Sequence, residues 1–206
     1  MSSAEFERWN SRFAATEAYV FGAAPNAFLA SCRDALPKAG RALAIADGEG
    51  RNGVFLAECG LEVVSVDFSP AAQAKAQALA ATRGVTIETV TADILAWEWP
   101  EAAFDVIAAI FFQFAEPPER AEIFAHIRRA LKPGGLLILE GYRPEQIAYG
   151  TGGPKTPENM YTRALLEDAF GDFDGVVITE HDTEMNEGVG HSGMSAVIDL
   201  VARKPG

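Results

Sequence analysis

Five short apolar runs, separated by helical patterns, restrict the fold of this chain more than any other feature of its sequence. Each run is apolar throughout rather than at every second position, which indicates strands that are buried on both faces. Strands of that kind form a parallel sheet with helices on both sides. The predicted strands are Ala42–Ala46, Val63–Val66, Val85–Val90, Val106–Phe112 and Leu136–Leu139.

Helical patterns fill the intervals between these strands, and two of them have clear boundary signals. Ser69-Pro70 offers a capping hydroxyl and a proline at the first helical position, while Lys132–Gly135 ends a helix. Two further runs, Val176–Thr179 and Ala196–Val201, have no helix between them and should pair antiparallel. We therefore predict a doubly wound, Rossmann-like α/β fold whose seven-stranded sheet is mostly parallel, with a C-terminal antiparallel strand pair. The predicted helices of this core are Arg51–Cys59, Ser69–Arg83, Glu119–Leu131 and Thr162–Phe170.

Residues 1–40, which we call the preface, have a helical pattern of their own. Phe6, Trp9 and Phe13 recur at helical spacing, and a break at Gly22–Pro25 leads into a second helical pattern. The chain has no internal repeat and no long linker. We predict a single domain, residues 1–206, with the preface at 1–40 and an α/β core at 41–206. Within the preface, the segment Tyr19–Gly22 is suited to close over a ligand.

The charge balance and the two cysteines narrow the range of partners. The chain has 17 Lys and Arg against 29 Asp and Glu, a formal net charge of −12, and lacks the basic cluster that nucleic acids and anionic membranes require. Cys32 and Cys59 lack metal-ligand or redox spacing, and no apolar run approaches the roughly 18 residues of a membrane helix. We expect a cytoplasmic monomer or homodimer that acts on a small molecule, without a nucleic acid, membrane or metal partner.

Polar and small residues follow the first three predicted strands at the edge where α/β proteins bind ligands. The turn Asp47–Gly53 follows strand one and opens a helix, where free backbone N–H groups are available. Asp67 follows strand two, 19 residues after Gly48, where a carboxylate can accept both hydroxyls of a ribose. Asp93 follows strand three and could accept from an adenine amino group. Together these residues predict an adenosine-containing cofactor.

The spacing Gly48-x-Gly50-x-x-Gly53 fits a dinucleotide site, but the chain is short for a second nucleotide-binding half and a substrate domain. The closing antiparallel pair and the turn Leu131–Gly135 resemble instead the class I S-adenosylmethionine-dependent methyltransferases. The segment Ala44–Gly50 stands where that family has an acidic-x-Gly-x-Gly-x-Gly turn. The resemblance extends over nearly the whole chain and continues at Asp67, Asp93, Phe104-Asp105-Val106 and Lys132-Pro133-Gly134-Gly135.

Several short strings resemble one branch of this superfamily, the small bacterial tellurite-resistance and thiopurine methyltransferase-like proteins. They occur in the preface, in the first turn and near the C-terminus, and their combination is more specific than any one of them. These strings are Trp9-Asn10, Arg12-Phe13, Tyr19–Gly22, Pro25-Asn26, Phe28-Leu29, Gly48–Asn52, Gly152–Lys155 and Glu187–His191.

The resemblance implies S-adenosyl-L-methionine as cofactor and a small-molecule methyl acceptor such as a thiol or a metalloid anion. It also implies that Gly48 and Gly50 line the methionine part of the cofactor, that Asp67 holds the ribose, and that Asp93 with Ile94 frames the adenine. The full expected set of cofactor-binding residues is Tyr19, Gly22, Ala46, Asp47, Gly48, Gly50, Arg51, Asn52, Asp67, Phe68, Asp93, Ile94, Ile110 and Phe111.

Two residues depart from the family pattern and leave other functions open. Ala44 stands where the family has its acidic residue, a usual partner of the methionyl amine, and Ala46 stands where it has its first glycine. Asp47 or Glu49 could replace the missing charge. The departures suggest a second hypothesis, a protein that binds S-adenosylmethionine without transferring a methyl group. A nicotinamide-dependent oxidoreductase is the third.

Candidates for the acceptor side follow the later strands. Ile110, Phe111 and Phe114 follow strand four, and one of the adjacent Phe111 and Phe112 should be a core residue. Methyl transfer from a sulfonium depends on orientation more than on a base. We expect two catalytic residues, Arg143 to orient an anionic acceptor and His191 in the connection between the last strands. The acids around His191 belong to residues 164–202, which contain no Lys or Arg, and we interpret them as an exposed acidic loop rather than a metal site.

Overall fold

A computed structural model describes residues 3–206, with side chains described from Phe6 onward. Seven strands form one sheet in the order β3-β2-β1-β4-β5-β7-β6. β7 runs antiparallel to both of its neighbours, and the remaining pairs are parallel, so the predicted fold class is confirmed. The strands are β1 Arg41–Ile45, β2 Glu62–Asp67, β3 Glu88–Thr91, β4 Phe104–Ile110, β5 Leu131–Tyr142, β6 Asp174–Glu187 and β7 His191–Arg203.

The helices begin and end close to the residues that the sequence signals indicate. The Ser69 hydroxyl accepts from the Ala72 amide at 3.2 Å and Pro70 opens the helix, which confirms that start. Two helices of the preface are present, although residues 1–2 of the predicted preface lie outside the described residues. The helices are α1 Ser3–Ala14, α2 Ala27–Ser31, α3 Arg51–Glu58, α4 Pro70–Arg83, α5 Pro117–Ala130, α6 Gln146–Tyr149 and α7 Arg163–Phe170, with 3-10 turns at Arg33–Ala35 and Pro157–Asn159.

Both faces of the sheet are buried, as the continuous apolar runs require. One face packs against α5 and α7 through a cluster that includes Ile107, Phe124 and Phe170. The other packs against α2 and α3 through a cluster that includes Ala44 and Phe55. Phe112 is 1% exposed and belongs to the first cluster, so it is the core residue of the predicted Phe111 and Phe112 pair.

The last two strands are much longer than predicted, at 14 and 13 residues. Pairing between β5 and β7 stops at Tyr142 and Val197, whereas β6 and β7 continue together as far as Glu187 and His191. Their outer halves alternate exposed and buried side chains, a pattern that a search for continuous apolar runs overlooks. The predicted exposed acidic loop is therefore wrong, because residues 180–187 belong to β6 and only residues 188–190 form the connection.

The strand order reverses between β1 and β4, and the backbone there is strained on both sides. Ala46 follows β1 with φ 48°, and Phe111 follows β4 with φ 53°. Side chains other than glycine avoid this left-handed region at a cost of about 1 kcal/mol or more each, so such residues concentrate at functional sites. The two strained residues mark the edge of the sheet where the site lies.

Gly50 offers a test of how tightly α3 packs against α4. Gly50 has φ 84°, and an added Cβ would lie 2.5 Å from the Ala76 Cβ; Gly84 has φ 71° with no atom within 4 Å of its added Cβ. Both alanine substitutions suffer the backbone strain, about 1 kcal/mol, and Gly50→Ala adds an overlap of about 1–3 kcal/mol. Urea unfolding should therefore show a clearly larger loss of stability for Gly50→Ala than for Gly84→Ala. Equal losses of stability for the two variants would contradict a tight contact between the start of α3 and α4.

Candidate functional site

One cavity of about 690 Å³ opens at the carboxyl ends of the central strands, at the switch point between β1 and β4. The preface, the tip of the β6–β7 hairpin and the segment 151–156 complete its walls. Ten of the predicted site residues line this cavity. They are Ala46, Asp47, Gly48, Arg51, Asn52, Asp67, Phe68, Ile110, Phe111 and His191.

Arg143 does not line the cavity, contrary to the expectation that it orients an acceptor there. Its Nε donates to the Val197 carbonyl at 3.0 Å, and its guanidinium is paired with the carboxylates of Asp182 and Glu145. These contacts commit the side chain to β6 and β7. The structure therefore leaves His191 as the candidate catalytic residue that the cavity contains.

Five other predicted residues also lie outside the cavity lining. Gly50 faces α4, and the Tyr19 hydroxyl donates to the Lys75 carbonyl at 3.4 Å. Gly22 lies against the hairpin tip, so of the predicted closing segment Phe21 is the residue that reaches the cavity. The remaining two follow β3: the side chain of Ile94 is buried in the core, and the carboxylate of Asp93 accepts from the Leu95 amide at 3.1 Å.

Asp67 has a carboxylate that is partly satisfied by the backbone and partly available. One oxygen accepts from the Gly48 amide at 2.9 Å and the other from the Ser69 amide at 2.8 Å. Burial raises the pKa of Asp67 to about 6, against the lowering effect of these two hydrogen bonds. Each carboxylate oxygen has a second lone pair, and the residue lines the cavity. This carboxylate can therefore accept two hydroxyl groups of a ligand.

Asp47 lies beside Ala44, where the family pattern has its acidic residue. Its carboxylate accepts from the Gly53 amide at 3.1 Å and from the Ser65 hydroxyl at 2.8 Å, and Ser65 is the β2 partner of Ala44. Burial raises the pKa of Asp47 to about 7, with the hydrogen bond from Ser65 acting in the opposite direction. The carboxylate thus holds the first turn of α3 and binds the β2 neighbour of Ala44.

Glu49 does not replace the missing charge, because it is bound elsewhere. Its carboxylate accepts from the Val20 amide at 2.7 Å and forms a 2.8 Å ion pair with Lys75, and the side chain is 3% exposed. Lys75 also donates to the Ala18 carbonyl at 2.9 Å. Glu49 therefore ties the preface to the glycine-rich turn and to α4, outside the cavity lining.

A buried ion pair joins α3 to the hairpin tip. Arg51 Nη2 lies 2.7 Å from a Glu187 oxygen, and the two side chains are 7% and 10% exposed. Arg51 also donates to the Phe21 carbonyl at 3.2 Å, while Glu187 accepts from the Ala27 amide at 2.9 Å. Burial alone would raise the pKa of Glu187, but the nearby His191 ring and the charge of Arg51 lower it to about 2. The expectation that Glu187 belongs to an exposed acidic loop is therefore wrong.

His191 is the first residue of β7, directly after the hairpin connection. Its ring centroid lies 4.5 Å from that of Phe111, 4.6 Å from that of Phe21 and 5.8 Å from that of Tyr142. Nδ1 faces a Glu187 oxygen at 3.8 Å. Burial lowers the pKa of His191 against the opposing effect of the nearby Glu187 carboxylate, and this lowering favours the neutral ring at pH 7. A proton on Nδ1 leaves Nε2 as a hydrogen-bond acceptor.

A group of buried polar residues links α2, α3, β5 and the hairpin tip, and Glu140 is the member that was not among the predicted site residues. The Asn26 side chain donates to Glu140 and to Glu187, and its backbone amide donates to Asn52 Oδ1 at 3.0 Å. Burial and the neighbouring Asp199 raise the pKa of Glu140 well above its usual range. Glu140 follows the predicted strand Leu136–Leu139. The same attention to strand ends that selected Asp67 would have found it.

Among residues 6–206, no group of three or more His, Cys, Asp or Glu side chains is arranged to hold a metal ion. In the described part of the chain, no helix is long and apolar enough to cross a membrane.

Comparisons with known proteins agree with the fold. Residues 42–135 match the family model described as a methyltransferase domain. The demethylmenaquinone methyltransferase of Thermus thermophilus is 38% identical over 113 residues, which are 53% of this chain and 51% of that protein. The carboxy-S-adenosyl-L-methionine synthase of Geobacter metallireducens is 33% identical over 96 residues, 45% of this chain and 37% of that protein. The chain thus spans about half, or less, of the length of these curated relatives.

Among solved structures, TehB from Haemophilus influenzae is similar with a TM-score of 0.68 and 17% identity, over 97% of this chain and 67% of that chain. This likeness concerns the fold, so the tellurite-resistance branch stays a prediction. The family match and the relatives support a class I S-adenosylmethionine-dependent methyltransferase. They imply S-adenosyl-L-methionine as the cofactor.

The ion pair between Arg51 and Glu187 should contribute strongly to stability. Glu187→Gln leaves the Arg51 charge buried without its counter-charge, so we expect a loss of about 3 kcal/mol in the free energy of unfolding. Glu184→Gln is the matched control, because Glu184 lies on the same strand with an exposed side chain. Urea unfolding of both variants would measure the difference. Similar stabilities for the two variants would contradict the role given to the ion pair.

Proposed function

We propose that this protein is an S-adenosylmethionine-dependent methyltransferase that acts on a small molecule with a thiol, hydroxyl or oxyanion nucleophile. The observation that supports it most is the cavity at the switch point. The ends of β1 and β2 supply one part of its lining, with Gly48 and Asp67, and the end of β4 with the start of β7 supplies a second part, with Phe111 and His191. A cofactor held by the first part would have its reactive end near the second.

The residues of the first part fit an adenosyl cofactor. Both Asp67 oxygens have a free lone pair for the ribose hydroxyls, and Phe68 is the next residue in the lining. Gly48 has φ 56°, and the absence of a side chain there lets a ligand approach the turn. Asp93 and Ile94 follow β3, which is the neighbour of β2, so we assign the adenine to that end of the site even though neither residue lines the cavity.

The cofactor, when bound, supplies an electrophilic methyl group on a sulfonium; a nucleophile's lone pair forms the new bond while the electron pair of the broken bond stays on sulfur. The chain contributes orientation and a dry environment. The rings of Phe21, Phe111 and Tyr142 lie around His191, the candidate base, and shield it from water. Because the reaction removes charge from the sulfonium, an apolar wall favours the transition state over the charged reactants.

His191 is the residue that we assign to proton transfer. A neutral thiol or hydroxyl acceptor must lose a proton, and the neutral ring can receive it at Nε2 when its own proton is on Nδ1, the nitrogen that faces Glu187 at 3.8 Å. The negative charge of Glu187 also stabilises the imidazolium that results. An acceptor that is already an anion needs only to be positioned.

One observation bears on the second hypothesis, cofactor binding without methyl transfer, which the comparisons do not favour. The Asp47 carboxylate is bound to Gly53 and Ser65, so the charge missing at Ala44 is not replaced by a free one. Ala46 keeps the left-handed backbone of the turn at the cost of strain. Detection of labelled methyl transfer to any acceptor in a panel of thiols and metalloid anions decides between the two. Cofactor binding without transfer to the whole panel would favour the second hypothesis.

The binding of S-adenosylhomocysteine should depend on Asp67 and on pH. Asp67→Asn removes a charged acceptor of two hydrogen bonds, so we expect at least a tenfold loss of affinity at pH 8 by isothermal titration calorimetry. In the wild type, the carboxyl with pKa about 6 becomes protonated as the pH falls, and affinity at pH 5 should be about tenfold weaker than at pH 8. Asp67→Asn should flatten this pH dependence.

Asp168→Asn is the control for that measurement, because Asp168 is exposed on α7 and outside the cavity. It should bind like the wild type at both pH values. An Asp67→Asn variant with wild-type affinity would refute the ribose assignment. Tighter binding of NADH than of S-adenosylhomocysteine would favour the oxidoreductase hypothesis instead.

His191→Gln should separate proton transfer from binding. With a neutral acceptor, we expect the transfer rate to fall by about 10²-fold or more while the affinity for S-adenosylhomocysteine stays within twofold. The wild-type rate should decrease as the pH falls below the ordinary histidine range, and this dependence should be absent in the variant. His181→Gln, on the outer strand β6, is the control. A pH profile of His191→Gln that matches the wild type would exclude His191 as the group that receives the proton.

A further inference from the structure

We propose, on the basis of the proposed function, that the acceptor is an aromatic compound with an anionic substituent, and that Lys155 and Arg12 bind this substituent at the mouth of the cavity. Three observations point to this class: the charges of the lining, the partners of the two cations and the nature of the wall beside His191.

The cavity lining is positive in a chain that is strongly negative. Four of the 17 Lys and Arg line it, against two of the 29 Asp and Glu, counting the residues that the structure describes. The two acids, Asp47 and Asp67, are buried and bound to backbone amides. Arg51 is neutralised by Glu187. A negative ligand would therefore meet net positive charge in this cavity, although the protein as a whole repels it.

Arg12 is placed to keep its charge and its donors available. Its guanidinium lies 5.1 Å from the Trp9 ring centroid and 5.4 Å from that of Phe21, and no described carboxylate is within ion-pair distance of it. Stacking on rings fixes a guanidinium while its N–H groups remain free for an anion. Burial is the main cause of the lowered pKa of His191, and the charges of Arg51 and Arg12 lower it further. Arg12 is therefore close enough to act on the part of the cavity that contains His191.

Lys155 lies on a segment of the cavity lining that is fixed against Tyr142 and Gln146. Gln146 Nε2 donates to the Thr151 hydroxyl at 2.9 Å and to the Gly152 carbonyl at 3.2 Å. Gly153 has φ 81°, and an added Cβ would lie 2.8 Å from the Tyr142 ring, so the backbone rests directly on that ring. These contacts hold the segment at the cavity edge. Within the described residues, Lys155 has no carboxylate partner.

Part of the same cavity lining consists of aromatic rings. Phe111 lies 4.6 Å from Tyr142 between ring centroids, and its strained backbone, φ 53°, turns the side chain into the cavity lining. Phe114 lines the same region. A flat ring of a ligand can stack or meet edge-on with such a wall, which an inorganic oxyanion or an aliphatic thiol cannot do. The acceptor that satisfies both features is an aromatic anion.

The same cations could instead bind the carboxylate of the cofactor's own methionine part, and a binding experiment separates the two roles. The protein is first saturated with S-adenosylhomocysteine, which retains that carboxylate. Three probes are then titrated by calorimetry: 4-hydroxybenzoate, the uncharged 4-hydroxybenzamide and the non-aromatic 4-hydroxycyclohexanecarboxylate.

We expect 4-hydroxybenzoate to bind at least tenfold more tightly than either of the other probes. Lys155→Gln and Arg12→Gln should each reduce its preference over the amide by threefold or more and leave the affinity for S-adenosylhomocysteine within twofold. Lys38→Gln, which removes an exposed charge outside the cavity, should change neither affinity.

Equal binding of the three probes, or no binding of 4-hydroxybenzoate, would overturn the inference. So would variants that weaken S-adenosylhomocysteine but keep the preference, because the cations would then serve the cofactor. If the unmodified protein does not bind S-adenosylhomocysteine at all, the proposed function itself fails. The two failures are thereby distinguishable.

Discussion

The buried ion pair between Arg51 and Glu187 is the interaction on which the shape of the cavity depends. It connects the first turn of α3 with the end of β6, and both partners also bind the backbone of the preface. Removing two charges from water is costly, so such a pair stabilises a fold only when its remaining donors and acceptors are satisfied. Here Phe21 and Ala27 supply those partners, and the hairpin tip is held at the cavity as a result.

Three acids in and after the glycine-rich turn have separate tasks, although they look alike in the sequence. Asp47 holds the first turn of α3, Glu49 anchors the preface through Val20 and Lys75, and Asp67 binds the turn while keeping lone pairs for a ligand. Their environments separate them, since burial raises the pKa of Asp47 and of Asp67 to different extents. Of the three, the geometry makes Asp67 the ligand-binding carboxylate.

The sequence predicted those parts of the molecule that depend on local signals. Continuous apolar strands, the Ser69-Pro70 start and the strand ends at Gly48 and Asp67 are all readable from neighbouring residues. The length of the β6–β7 hairpin was underestimated because the exposure of side chains alternates along its outer half. Glu187 was misjudged because its partner Arg51 lies 136 residues earlier in the chain. Arg143 was also misjudged because of a distant partner. A residue that follows a strand can face the ligand-binding edge of the sheet, but the long side chain of Arg143 pairs instead with a carboxylate of β6.

A crystal structure of the protein with S-adenosylhomocysteine would test the central claim most directly. The account predicts ribose hydroxyls within hydrogen-bond distance of both Asp67 oxygens, and a sulfur atom that faces the wall formed by Phe111 and His191. A ligand bound in the cavity with its ribose away from Asp67, or with its sulfur directed to solvent, would contradict it.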